Sequence, residues 1–188
     1  MRVIGYIFTL CACLASFIFC CYLTATALHR TTADISTATP CNVSAYVIDQ
    51  DPQGLNVRSG AGKNFAVIGN LPRREDTGIG VHITGSNGHW VQIDLAVEEG
   101  TDEEQTFFKG VGWVYGPLLG LTGIAQPGGG TRLFQQASLK SRLITRVPGG
   151  EDVTVRGCRG EWLYVEYNKT KGWAEPRTLC SNSLTTCG

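Results

Sequence analysis

The sequence predicts an all-β chain, built as two copies of one small unit behind an apolar N-terminal segment. Three observations predict it. From Ala45 onward, short runs of Val, Ile, Leu and aromatic residues are broken by Gly, Asn and Pro, and no window holds a helical period. The chain also aligns with itself: VHITGSNGHWVQI (Val81–Ile93) and VTVRGCRGEWLYV (Val153–Val165) both fit V-x-(I/V)-x-G-x-x-G-x-W-(V/L)-x-(I/V) without a gap. Finally, Arg2 precedes an almost unbroken apolar run that carries no further charge until Arg30.

That run reads as an export signal covering residues 1–27, with small residues at Ala25 and Ala27 in an Ala-Thr-Ala pattern before the cleavage point. The alternative is an uncleaved anchor, since residues 3–23 are long enough to span a bilayer as a helix. Either way the remainder is exported, to the cell envelope, the periplasm or the medium. Residues 28–40, rich in Thr, Ala and Ser, form a flexible lead-in. Sixteen Lys and Arg balance sixteen Asp and Glu, and removing the leader takes away only Arg2. A nearly neutral domain has no electrostatic claim on nucleic acid or on an anionic membrane, so the only membrane contact expected is through the N-terminal segment.

The two copies match beyond the tryptophan motif. AVIGNLPRRED (Ala66–Asp76) aligns with RLITRVPGGED (Arg142–Asp152), and VGWVYGPLL (Val111–Leu119) with KGWAEPRTL (Lys171–Leu179). Copy one carries two insertions, Thr77–Gly80 and a longer one at residues 96–107. The second includes EEGTDEE (Glu98–Glu104), whose five acids are expected in solvent at a hairpin tip. Between the copies, GIAQPGGGT (Gly123–Thr131) has the composition of a short linker. A sheet this small must curl on itself to enclose a core.

Several chemistries are excluded or disfavoured. The glycines of RSGAGKN resemble a phosphate cradle, but Lys63 is followed by Asn64, and no helix follows. A turn that reverses the chain after Arg58 explains them. Nucleophilic catalysis would need Cys41 beside His82 or His89, and no peptidase motif surrounds Cys41. The Glu75-Asp76 and Glu151-Asp152 pairs occupy equivalent positions, where a polar turn entering a strand is the simpler reading. No metal or cofactor is called for, because the chain has no C-x-x-C pair and no His near its C-terminal cysteines.

In copy one, Leu55-Asn56-Val57-Arg58-Ser59-Gly60, then Val67-Ile68-Gly69 and Leu71, then Trp90, then Gly112-Trp113-Val114, resembles the bacterial SH3 domain. Copy two keeps Gly160, Trp162, Gly172 and Trp173 but reads RLFQQAS where the family has LNVRSGP. The resemblance implies two small SH3-like barrels in tandem after the N-terminal hydrophobic segment: residues 41–122, a linker at 123–130, and residues 131–188. It further implies a non-catalytic module binding peptidoglycan, its peptides or an envelope protein. A purely structural or adaptor role, with the acidic loop as the contact, is the second reading.

The tryptophans are the candidate binders, through apolar contact with peptides or sugars. A core this small also needs large side chains, which favours them as packing anchors. His89, Trp90, Trp113 and Tyr115 mark the place to look for a groove in copy one. Of the eight cysteines, four lie in the leader, leaving Cys41, Cys158, Cys180 and Cys187. An even number in an exported chain reads as disulfides. Cys158–Cys180 with Cys41–Cys187 would staple copy two and tie down the tail, and Cys41–Cys158 with Cys180–Cys187 stays open.

Overall fold

Thirteen strands alternate with tight turns in the computed structural model, which describes residues 38–74, 77–100, 105–125 and 127–184. The leader, residues 28–37 of the lead-in, the Glu75-Asp76 pair, the acids at 102–104 and Cys187 lie outside the described residues. The strands are β1 (Thr39–Val47), β2 (Leu55–Arg58), β3 (Val67–Leu71), β4 (Gly78–Asn87), β5 (Trp90–Glu99), β6 (Thr106–Tyr115), β7 (Leu119–Gly123), β8 (Thr131–Phe134), β9 (Leu143–Val147), β10 (Asp152–Arg159), β11 (Trp162–Tyr167), β12 (Thr170–Ala174) and β13 (Leu179–Cys180). A single 3-10 turn, Gly116–Leu118, separates β6 from β7. The chain is all-β, with no α-helix among the described residues. No helix there is long and apolar enough to cross a membrane. Strand β1 begins at Thr39, inside the segment the sequence reads as lead-in.

Strand pairing repeats pair for pair. In the first half β1 pairs with β4 and β7, β5 with β4 and β6, and β2 with β3 and β6. In the second, β7 pairs with β10 and β13, β11 with β10 and β12, and β8 with β9 and β12. Strand β7 therefore has two roles. It is the last strand of the first half and the first strand of the second, and all thirteen strands join in one sheet. Gly123, which the sequence assigns to the linker, is the final residue of β7 and pairs with Leu179.

The repeated glycines have distinct jobs. In each copy the first motif glycine follows a bulge. Ile83 and Gly85 oppose the neighbouring Ile93 and Gln92, while Val155 and Gly157 oppose Val165 and Tyr164. The second motif glycine opens a two-residue hairpin turn. Gly88 and Gly160 have φ of 56° and 57°, which a side chain rarely adopts. Past the bulge the alternation resumes in the other phase, and this turns Cys158 inward.

Inward residues form one contiguous core drawing on both halves, among them Val57, Leu71, Ile83, Ile93 and Leu119 from the first and Leu121, Leu133, Val147, Val155 and Val165 from the second. Each such side chain contributes about 1.5–3 kcal/mol relative to exposure. Leu143 and Ile144, aligned with Val67 and Ile68, are exposed in their edge strand, so they are surface positions. Only Val147 of that aligned set reaches the core, as does its counterpart Leu71.

The insertions also differ from expectation. Thr77–Gly80 and the described residues of the longer insertion, 96–100 and 105–107, lengthen one three-stranded ribbon, with Gly78 opposite Glu99, Gly80 opposite Val97, and Ala96 opposite Phe108. Two of the expected solvent acids are held at its end. Glu98 takes a bond from Thr77 Oγ1 (2.7 Å) and an ion pair from Arg74 (3.3 Å). Glu99 accepts from the backbone N–H of Ser183 in the C-terminal tail (3.1 Å).

The disulfide pairing is corrected. Cys41 bonds Cys158, across the two halves, with Cα atoms 5.9 Å apart. Cys180 is also disulfide-bonded, so Cys158–Cys180 and Cys41–Cys187 both fall. The physical reason is a register shift in β1 between Pro40 and Val43. There the backbone leaves β4 and bonds the β10–β11 turn instead, Asn42 N–H to Gly160 O and Gly160 N–H to Pro40 O, both 2.9 Å. Sequence spacing carries no sign of that detour.

Candidate binding surface

The tryptophans lie on the face opposite the core. In β5, Val91 and Ile93 are fully buried, so Trp90 and Gln92 point the other way. Register sets Trp90 opposite Tyr115 and Gln92 opposite Trp113. The Trp90 and Tyr115 rings are 5.5 Å apart and tilted by 56°, an ordinary aromatic pair. Both are half-buried, whereas Trp113 is only 6% exposed. His89 is exposed in the turn before Trp90, and its carbonyl accepts from Gly116 N–H (2.8 Å). The structure thus brings Trp90, Tyr115 and His89 to one accessible edge and withdraws Trp113 from it.

The glycine-rich stretch next to this face is a turn. Arg58, opposite Trp113, donates through Nη1 to the carbonyls of Lys63 (3.0 Å) and Phe65 (2.9 Å). The Phe65 ring then sits on Gly60, where a Cβ would come within 2.3 Å of it. The second half makes the same turn. Ser59 N–H to Ala66 O and Gln135 N–H to Arg142 O are equivalent bonds, as are Gly62 N–H to Gly60 O and Ser138 N–H to Gln136 O. There Ser141 replaces Phe65, no ring covers position 136, and Gln is tolerated.

The second half presents its own outward aromatic face. Tyr164 and Trp173 are opposed in register with rings 5.1 Å apart, and the Arg159 guanidinium lies 5.6 Å from the Trp173 ring centre. Phe134 packs edge-on against Trp162 at 6.0 Å. Sequence reasoning counted Trp162 and Trp173 among the candidate tryptophans but looked for a groove in copy one, and did not single out Tyr164 or Arg159. A signal was present, because Arg159 and Trp162 bracket the motif glycine Gly160. What was absent was any sign that the first half's Asn87-Gly88 turn would line one cavity with Arg159, Tyr164 and Trp173.

Below that cluster, Arg132 and Glu175 form a two-pronged ion pair, Nε to Oε2 at 2.7 Å and Nη2 to Oε1 at 2.6 Å. The hydrogen bond from Arg132 holds the Glu175 carboxyl below its ordinary range. At the β1–β7–β10 junction, Thr122 Oγ1 donates to Asp152 Oδ1 (2.9 Å), and the Tyr46 hydroxyl reaches both, Thr122 at 2.8 Å and Asp152 at 3.3 Å. Burial raises the Tyr46 phenol above its ordinary pKa. Asp152 is thus a structural acceptor across the shared strand. His82 is held between Asp94 Oδ1 at Nδ1 (2.6 Å) and Asn42 Oδ1 at Nε2 (2.7 Å). With Cys41 in a disulfide, no thiol is available there for the nucleophile role weighed above.

The fold and these faces define an all-β protein with outward aromatic surfaces. A family model for the bacterial SH3 domain matches residues 129–179, which is the second half. No curated protein matches the chain. Among solved structures, the chain is similar to NlpC2 from Trichomonas vaginalis, with a TM-score of 0.29 and 15% identity, covering 74% of this chain and 48% of that one. It is similar to NlpC1 from the same organism, with a TM-score of 0.29 and 12% identity, covering 77% and 47% respectively. The chain spans about half the length of either.

Proposed function

We propose that the chain is an exported, non-enzymatic binding module of two SH3-like barrels that share β7, recognising peptidoglycan peptides or an envelope protein. The observation that carries this reading is the aromatic pair each half turns away from its core, Trp90 with Tyr115 and Tyr164 with Trp173. Half-buried aromatic rings beside cationic or carbonyl groups suit peptides and sugars, whose apolar faces they cover while polar tips fix orientation. The family match over residues 129–179 supports the barrel assignment of the second half, and the repeated strand pairing extends it to the first. The adaptor reading through an acidic tip is weakened, because Glu98 and Glu99 are spent on contacts within the chain.

Sedimentation with purified sacculi tests the proposal. The chain is expected to co-sediment, and Trp90→Ala with Tyr115→Ala to lower its affinity about tenfold while the circular dichroism spectrum is kept. Absence of the parent chain from the sacculus pellet would sink the wall-binding form.

A further inference from the structure

Where the Asn87-Gly88 turn of the first half meets β10 of the second, a cavity of about 240 Å³ opens beside Tyr164 and Trp173. Its charged wall is Arg156 and Arg159. Arg156 is the extra residue of the β10 bulge, the kind of position where a bulge re-aims a side chain. It pairs with Glu166 (3.1 Å), but the same carboxylate is shared with Lys171 (3.6 Å). Arg156 and Lys171 thus share one acid. The Nε–H of Arg156 is buried without a hydrogen-bond partner, a state that costs about 1–3 kcal/mol when nothing satisfies it. Arg159 is exposed, stacks on Trp173, and has no acidic partner among the described residues.

Arg159 without an acidic partner among the described residues, Arg156 sharing its acid with Lys171, and the Tyr164 and Trp173 rings line one small space. We propose that this seam cavity is a carboxylate subsite, taking the free C-terminal end of a peptide. The terminal carboxylate lies between Arg156 and Arg159, and the last side chain rests on Trp173 and Tyr164. The size agrees. The cavity is below the roughly 300–1,000 Å³ of sites that enclose a whole small ligand, which fits an end group better than an entire peptide. Arginine suits the planar two-oxygen carboxylate, and a peptide plane stacks on an indole. The subsite needs both halves, because the first supplies the turn and the second the charge.

This inference rests on the peptide-binding reading above, so the experiment separates the two. Calorimetric titration of the full chain uses trialanine as free acid and as amide. The free acid is expected to bind, and the amide at least about tenfold more weakly, since a charge-assisted bond is lost. Arg159→Gln is expected to weaken the acid by a similar factor and leave the amide unchanged, while Lys63→Gln changes neither. Equal affinity for acid and amide, no binding of either, an unaffected Arg159→Gln variant, or equal competition by inorganic phosphate at matched ionic strength would each overturn the subsite. Sacculi are sedimented in parallel. Wall binding without acid–amide discrimination removes the subsite and leaves the module; discrimination without wall binding supports the subsite and removes the wall as target.

Discussion

Gly60 shows what a single residue can and cannot reveal. LNVRSG is legible as a motif, but the reason for its last glycine is the Phe65 ring lying on it, a contact within the turn that the motif does not spell out. Gly60→Ala is expected to cost about 1–2 kcal/mol, because the ring must swing away. Phe65→Ser should recover most of that loss, since Gln136 and Ser141 already stand together in the second half. A denaturant double-mutant cycle checks it, and additive effects would contradict the steric account. The Arg132–Glu175 pair makes a pH prediction. A carboxyl whose folded pKa is depressed contributes stability above its unfolded pKa, near the ordinary 4.5, and loses it as pH falls through the folded value. Glu175→Gln should therefore be less stable at neutral pH and show a shallower decline on acidification, measured by urea unfolding from pH 7 to pH 3. An unchanged acid limb would show that the pair is silent.

Among the elements, β7 is the most consequential and the least legible. The repeat is readable from V-x-(I/V)-x-G-x-x-G-x-W, because the bulge and the turn each require glycine at a fixed offset. The sharing is not, because Leu119–Gly123 reads equally well as the end of one copy running into a Gly-rich linker. Its second set of partners, Asp152 to Thr154, is a long-range pairing that leaves no local trace. Gly120 is pressed between strands, and a Cβ there would approach Ile48 Cγ2 at 2.6 Å and the Tyr46 ring at 3.0 Å. Gly120→Val is expected to cost about 2–3 kcal/mol by overpacking. Because the strand serves both halves, amide exchange should accelerate in β5 and β11 alike. Acceleration confined to β5 would mean that the second half does not depend on β7.

For the molecule as a whole, composition and repeat sufficed for the all-β class. Two cross-half features were not singled out by the sequence, which held Cys41–Cys158 only as the second of two pairings. One is the Cys41–Cys158 bond, which depends on a detour of two residues in β1. The other is the seam cavity, whose walls come from strands far apart in sequence. His89, Trp90 and Tyr115 share one edge because register follows from the tryptophan motif, while burial of Trp113 depends on packing the motif does not encode. The disulfide spans a separation of 117 residues. Closing a loop of about that length is worth about 4–5 kcal/mol in the chain-entropy model. The shared strand, the contiguous core and this bond together claim that the halves are one cooperative unit, which is what a binding site at their seam requires. Differential scanning calorimetry of the oxidised full chain tests that claim most directly. One transition with equal calorimetric and van't Hoff enthalpies is predicted, persisting at lower temperature in Cys41→Ser with Cys158→Ser. Two resolved transitions in the oxidised chain would contradict it.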